Sequence, residues 1–171
     1  MTVRLTTALR YVMIFKKAII GLLLYIKKTV VFLRQEIREL MRQTVNMFSQ
    51  SWGNNGLNPI GGSHWLRQDI EIPQSWNGKE ATLRLGCIVD ADSVYVNGVF
   101  VGTTSYQYPP RIYRIPAGIL KSGKNNITVR IISNGGQPGF VQEKPYKIIC
   151  DNEEINLKQK WKYRLGAPMP P

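Results

Sequence analysis

Few residues in this 171-residue chain have the types and spacing that chemistry needs. Ser63 and His64 come first, because His64 is the sole histidine and any Ser-His nucleophile would have to use it. Neighbours on a strand point to opposite faces, so this pair makes a poor hydrogen-bonded nucleophile and base. Asp90 and Asp92 have the composition of a carboxylate pair for acid and base work. The reading we weigh more heavily is that they accept backbone donors at the turn that opens the next hairpin. Gly135-Gly136 is followed by no Lys-Ser/Thr and opens no helix, so it reads as a flexible loop and not as a phosphate cradle. Cys87 and Cys150 lack metal-like spacing and lie in apolar, strand-like runs, which predicts buried thiols. A bridge between them would require neighbouring strands with facing side chains. These residues supply no catalytic set, no metal site and no cofactor site.

One loop has a different character. Between Thr103 and Pro110 stand Tyr106, Tyr108 and the pair Pro109-Pro110, followed by Arg111. Flat apolar rings beside hydrogen-bond donors are what sugar sites use for stacking and hydroxyl recognition, so Tyr106, Tyr108 and Arg111 are the candidate ligand-binding residues. The prolines stiffen the loop and reduce the entropy lost on binding. The competing reading has both tyrosines packed over a sheet end while Arg111 pairs with a carboxylate.

The elements that must position this loop are strands. Asp90–Gly102 alternates apolar and polar residues around Asn97-Gly98, two residues that tolerate positive φ as a type I′ hairpin turn requires. His64–Ile72 reads as a strand ended by Pro73, and Gln74–Lys79 as a turn with Trp76 and Asn77-Gly78. Ala81–Ile88 reads as a strand with Leu83, Leu85 and Cys87 on one face. Arg111–Ile115, Asn126–Ser133, Tyr146–Cys150, Glu154–Leu157 and Trp161–Leu165 complete the set. About eight or nine short strands at regular spacing predict a mostly β fold, an antiparallel two-sheet sandwich of jelly-roll type over residues 51–171.

Residues 1–50 have another texture. They hold nine basic residues against Glu36 and Glu39, so +7 of the chain's net charge of +12 lies there. Lys16-Lys17 and Lys27-Lys28 cut the apolar stretch from Tyr11 to Leu33 into pieces shorter than the ~20 residues of a spanning helix. No small-x-small cleavage signal follows Ala18–Ile26, which argues against a cleaved signal peptide. Leu33, Ile37, Leu40, Met41 and Val45 recur at helical spacing within Phe32–Met47. The expectation is an N-terminal helical extension of one or two basic amphipathic helices, able to touch an anionic membrane or cover an apolar face. The sharp change of composition near residue 50 is also what a misassigned start or a frameshift leaves behind. Because the positive charge concentrates there and the later part lacks basic clusters interleaved with aromatics, nucleic acid is not expected as a partner.

At the level of whole motifs the chain resembles known proteins. The segments 64–73, 76–79 and 90–102 resemble the galactose-binding-like sandwich of glycoside hydrolase family 2 enzymes. The segments 106–118, 134–139, 140–146 and 157–171 look like the sandwich domain inserted into bacterial sialate O-acetylesterases. The resemblance covers roughly residues 51–171. It implies a module bordering the cleft of an SGNH-type catalytic domain, which removes O-acetyl groups from sialic acids with a Ser-His-Asp triad. The implied partners are that catalytic domain and sialylated or other glycans, and the implied setting is periplasmic or secreted. The family's nucleophile turn, Gly-x-Asn-Asp segment and Asp-x-x-His pair have no counterpart in this sequence. The expectation is therefore a fragment that is inactive alone, with a stand-alone carbohydrate-binding protein carrying a membrane-associating helix as the alternative.

Overall fold

The structure, a computed structural model, describes residues 43–45, 48, 61–135 and 138–168. The chain divides into two units, Met1–Leu40 and Met41–Pro171, and every described residue belongs to the second. Most of the expected N-terminal helices fall outside the described residues. The exception is Gln43–Val45, which is not helical: it forms strand β1, and Val45 is buried in the core. Its pairing with the last strand outweighs the local three-four spacing of apolar residues, and the β body reaches back past residue 51.

Period-two alternation builds the rest. In β2 (Gly62–Ile72) every second side chain, from His64 through Leu66, Gln68 and Ile70 to Ile72, is buried. Pro73 ends the strand, and a single 3-10 turn, Gln74–Trp76, drives Trp76 into the core, where its indole N–H donates to Glu153 at 2.5 Å. The strands that follow are β3 (Ala81–Leu85), β4 (Ile88–Val89), β5 (Ala91–Val96), β6 (Val99–Thr104), β7 (Ile112–Ile115) and β8 (Gly123–Ser133). The last four are β9 (Gly139–Phe140), β10 (Tyr146–Cys150), β11 (Glu153–Asn156) and β12 (Trp161–Pro168).

Among the described residues these strands form three antiparallel sheets, in the orders β1-β12-β2-β8-β5-β6, β11-β10-β3-β7 and β4-β9. The two larger sheets make a β-sandwich. Leu66, Val94, Val96, Val129 and Ile131 from one layer meet Leu83, Leu85, Ile115, Tyr146 and Ile148 from the other in one core cluster. Removing one such side chain, as in Leu83→Ala, costs about 2–5 kcal/mol in typical cores.

Two details differ from the sequence expectation. The single strand expected over Ala81–Ile88 breaks at Gly86, whose φ of +54° is left-handed and whose position leaves no room for a Cβ, which would lie 2.6 Å from the Tyr146 ring. The hairpin turns at Asn97 and Gly98 with φ of 51° and 83°, as expected, but its register shifts between Val94 and Tyr95 so that Val101 faces no partner. Cys87 and Cys150 are both buried and unbridged.

Candidate functional site

Strand parity places two charges in the interior. Asp92 is in phase with Val94 and Val96 on β5, and Arg111, immediately before β7, is in phase with Tyr113 and Ile115. Both are buried, Arg111 completely. A charge in such a place must be paired and hydrogen-bonded, and these are. Arg111 Nε donates to Asp92 Oδ1 at 2.6 Å, and the Tyr113 hydroxyl donates to Asp92 Oδ2 at 2.5 Å. Thr104 Oγ1 lies 2.9 Å from the Tyr113 hydroxyl, and the Thr103 hydroxyl donates to the Asp92 carbonyl. Burial pushes the Asp92 carboxyl above the usual carboxylate range, and the hydrogen bonds and charge from Tyr113 and Arg111 pull it only part of the way back. Burial and the bond to Asp92 push the Tyr113 hydroxyl far above the usual tyrosine range. Asp92 thus serves side-chain donors and not the backbone donors we expected. Asp90 accepts from Ser133 through its side chain and from Arg111 through its carbonyl.

The remaining donors of Arg111 define the loop above it. One terminal nitrogen donates to the carbonyls of Gln107 and Pro109 at 3.1 and 2.7 Å, the other to those of Ile88 and Asp90 at 2.8 and 2.9 Å. The Cys87 thiol donates to the Tyr108 carbonyl at 3.2 Å. Three consecutive loop carbonyls are therefore held from below, and the guanidinium's five N–H groups are spent within the protein. Arg111 lies under the loop as its anchor, with no surface to offer a ligand. Tyr106 and Tyr108 lie on top, 59% and 67% exposed, with ring centroids 5.1 Å apart at an interplanar angle of 73°. They do not pack over a sheet end.

Beside Tyr108 lies a groove of about 170 Å³, lined by Tyr108, Pro110 and Ile112, by Lys144 and Pro145, and by Arg84, Gly86 and Cys87. A larger groove of about 390 Å³ between Asp69, Glu71, Lys124 and Asn126 has charges of both signs and no aromatic wall. Asp69 there is already held by Lys162 and Arg67. The smaller groove is the better candidate because it adjoins the aromatic loop.

The other candidate chemistry separates. His64 is fully buried and its Nδ1 lies 3.1 Å from the Tyr163 hydroxyl, while Ser63 faces the other way and its Oγ accepts the Ala167 N–H. Among the described residues no cluster of three or more metal-ligating side chains exists. Of the loop 134–139, residues 136 and 137 lie outside the described residues.

No protein-family model and no curated protein matches the chain. Among solved structures it is similar to the β-glucuronidase from Ruminococcus gnavus in complex with uronic deoxynojirimycin, at TM-score 0.41 and 24% identity over 44% of this chain and 13% of that one. It is also similar to an uncultured Clostridium sp. β-glucuronidase, at TM-score 0.41 and 19% identity over 54% of this chain and 15% of that one. The Streptomyces avermitilis α-L-rhamnosidase complexed with L-rhamnose matches at TM-score 0.50 and 18% identity, over 64% of this chain and 11% of that one. The chain spans only a small part of each of these enzymes. What the rhamnosidase likeness carries is the fold alone, a β-sandwich.

Proposed function

We propose that this chain is a non-catalytic β-sandwich module of a carbohydrate-active enzyme, galactose-binding-like and of jelly-roll type, and that Tyr106 and Tyr108 touch glycan. The observation that carries the reading is the pair of exposed rings on a loop whose carbonyls at 107, 108 and 109 are pinned by Arg111 and Cys87. A loop fixed before its ligand arrives loses little entropy on binding, and exposed tyrosines present flat faces for stacking on sugar rings. In this reading Arg111 positions the loop and does not contact the sugar.

The motif resemblance extends the proposal to a sialate O-acetylesterase, with the sandwich bordering the cleft of an SGNH domain. In such an enzyme a serine of that domain attacks the acetyl carbonyl, histidine moves the proton and aspartate orients the histidine. The present chain contributes shape and glycan contact only.

The test uses the full chain. Glycan binding is measured by calorimetry for the parent and for the Tyr106→Ala/Tyr108→Ala double variant, alongside acetate release from O-acetylated sugars. Loss of two aromatic contacts lowers affinity by roughly tenfold. Both side chains are exposed, so unfolding stays unchanged. Equal affinity in parent and variant, or acetate release by the chain alone, contradicts the proposal.

A further inference from the structure

The groove beside Tyr108 has a charge pattern that the aromatic loop alone does not explain. Three chain segments build it. Gly86 accepts the Arg111 N–H through its carbonyl at 2.7 Å, and Leu85 donates to the Arg111 carbonyl at 3.0 Å, which clamps the tyrosine loop against the end of β3. The buried Tyr146 hydroxyl donates to the carbonyls of Cys87 and Val141 at 3.0 and 2.9 Å, which brings the Lys144-Pro145 turn to the opposite side. Gly86 lets Lys144 pack close: a Cβ there would lie 2.7 Å from the Lys144 Cβ.

Arg84 and Lys144 bring two cationic side chains to this lining, which contains no carboxylate. Arg111 is neutralised by Asp92. Arg84 and Lys144 have no ion pair among the described residues, whereas Arg114, Lys147, Lys79 and Lys162 on the same body are each paired with an acid. Glu143 precedes Lys144 in the chain but does not line the groove. A cleft walled by one sign of charge, with apolar lining from Tyr108, two prolines and Ile112, concentrates potential toward an anion. The volume, about 170 Å³, is below that of a drug-sized site and suits one ring with one substituent.

We infer that this groove is a subsite for a sugar ring bearing an anionic substituent, a carboxylate or a sulfate ester, with the ring against Tyr108 and the anion between Arg84 and Lys144. The inference rests on the glycan-contact reading above and names the class of sugar it selects. Both cations are reached from solvent, so each contributes modestly and in a salt-dependent way.

The experiment titrates the full chain with methyl glucuronide, galactose 6-sulfate and methyl galactoside by NMR, at low and high sodium chloride. The anionic sugars bind on the order of tenfold tighter than the neutral one at low salt, and the preference shrinks at high salt. Arg84→Gln and Lys144→Gln each remove a large part of the preference while leaving neutral-sugar binding unchanged. Tyr108→Ala weakens all sugars alike. The ratio of glucuronide to sulfate affinity decides which anion the subsite takes. Equal affinity for anionic and neutral sugars overturns the inference and leaves the glycan-contact reading standing. Absence of binding to all three overturns both.

Discussion

Asp92 holds the candidate site together, and its neighbours show how. Its two oxygens take the Arg111 guanidinium and the Tyr113 hydroxyl, and Arg111 then has its remaining donors free for the loop carbonyls. Replacing a buried ion pair by apolar groups is often harmless, but removing one partner leaves a charge uncompensated. Asp92→Asn keeps the shape and strands the Arg111 charge. It is expected to lower stability by about 3–5 kcal/mol in chemical denaturation, with the loop carrying Tyr106 and Tyr108 the first part to lose hydrogen-exchange protection. A variant as stable as the parent, with equal loop protection, would remove this account of the anchor. By contrast, the exposed pairs Lys79–Asp151 and Arg114–Glu80 contribute little, because solvent screens them.

At the scale of elements, the hairpin β5-β6 and strand β7 depend on a missing side chain. Gly102 lies opposite Val94, and a Cβ there would sit 2.2 Å from the Tyr113 ring. Gly102→Ala therefore pushes Tyr113 off Asp92, and overpacking of this kind typically costs about 1–3 kcal/mol. Thermal unfolding that matches the parent would show that the contact relaxes freely. The turn itself does more than change direction. Asn97 donates through its side chain to the Ile119 carbonyl and to Asn125 Oδ1 at 2.9 and 2.7 Å and accepts the Asn126 N–H at 3.0 Å, so it ties the hairpin to the start of β8.

Much of this was readable from residue types. Alternation locates β2, β3, β5, β8 and β10, where every second residue is buried, and Asn97-Gly98 locates the hairpin because its turn needs positive φ, whereas Gly139–Phe140, buried at both positions, carries no such pattern. The same parity carries a further signal. Asp92 shares its face with Val94 and Val96, and Arg111 shares its face with Tyr113 and Ile115, so two opposite charges at inward positions already imply a buried pair. What residue types did not carry was long-range. The partner strand that turned Gln43–Val45 from helix to β1 lies at the far end of the chain, and the groove is assembled from segments near 84, 108 and 144.

At the scale of the molecule, two sheets enclose a core that shapes one edge, where the tyrosine loop, β3 and the turn before β10 meet. Among the described residues Ser63 and His64 face opposite ways, and the two buried thiols are unbridged. In the function proposed above the body acts by shape and recognition, with the exposed rings of Tyr106 and Tyr108 carrying that role. The most direct test labels the tyrosine rings with carbon-13 and follows them by NMR while methyl galactoside and methyl glucuronide are added to the full chain. The account predicts that the Tyr106 and Tyr108 resonances shift with saturation while buried Tyr113, Tyr146 and Tyr163 stay still. Saturating shifts confined to the buried tyrosines, or rings at 106 and 108 that ignore both sugars, would contradict it.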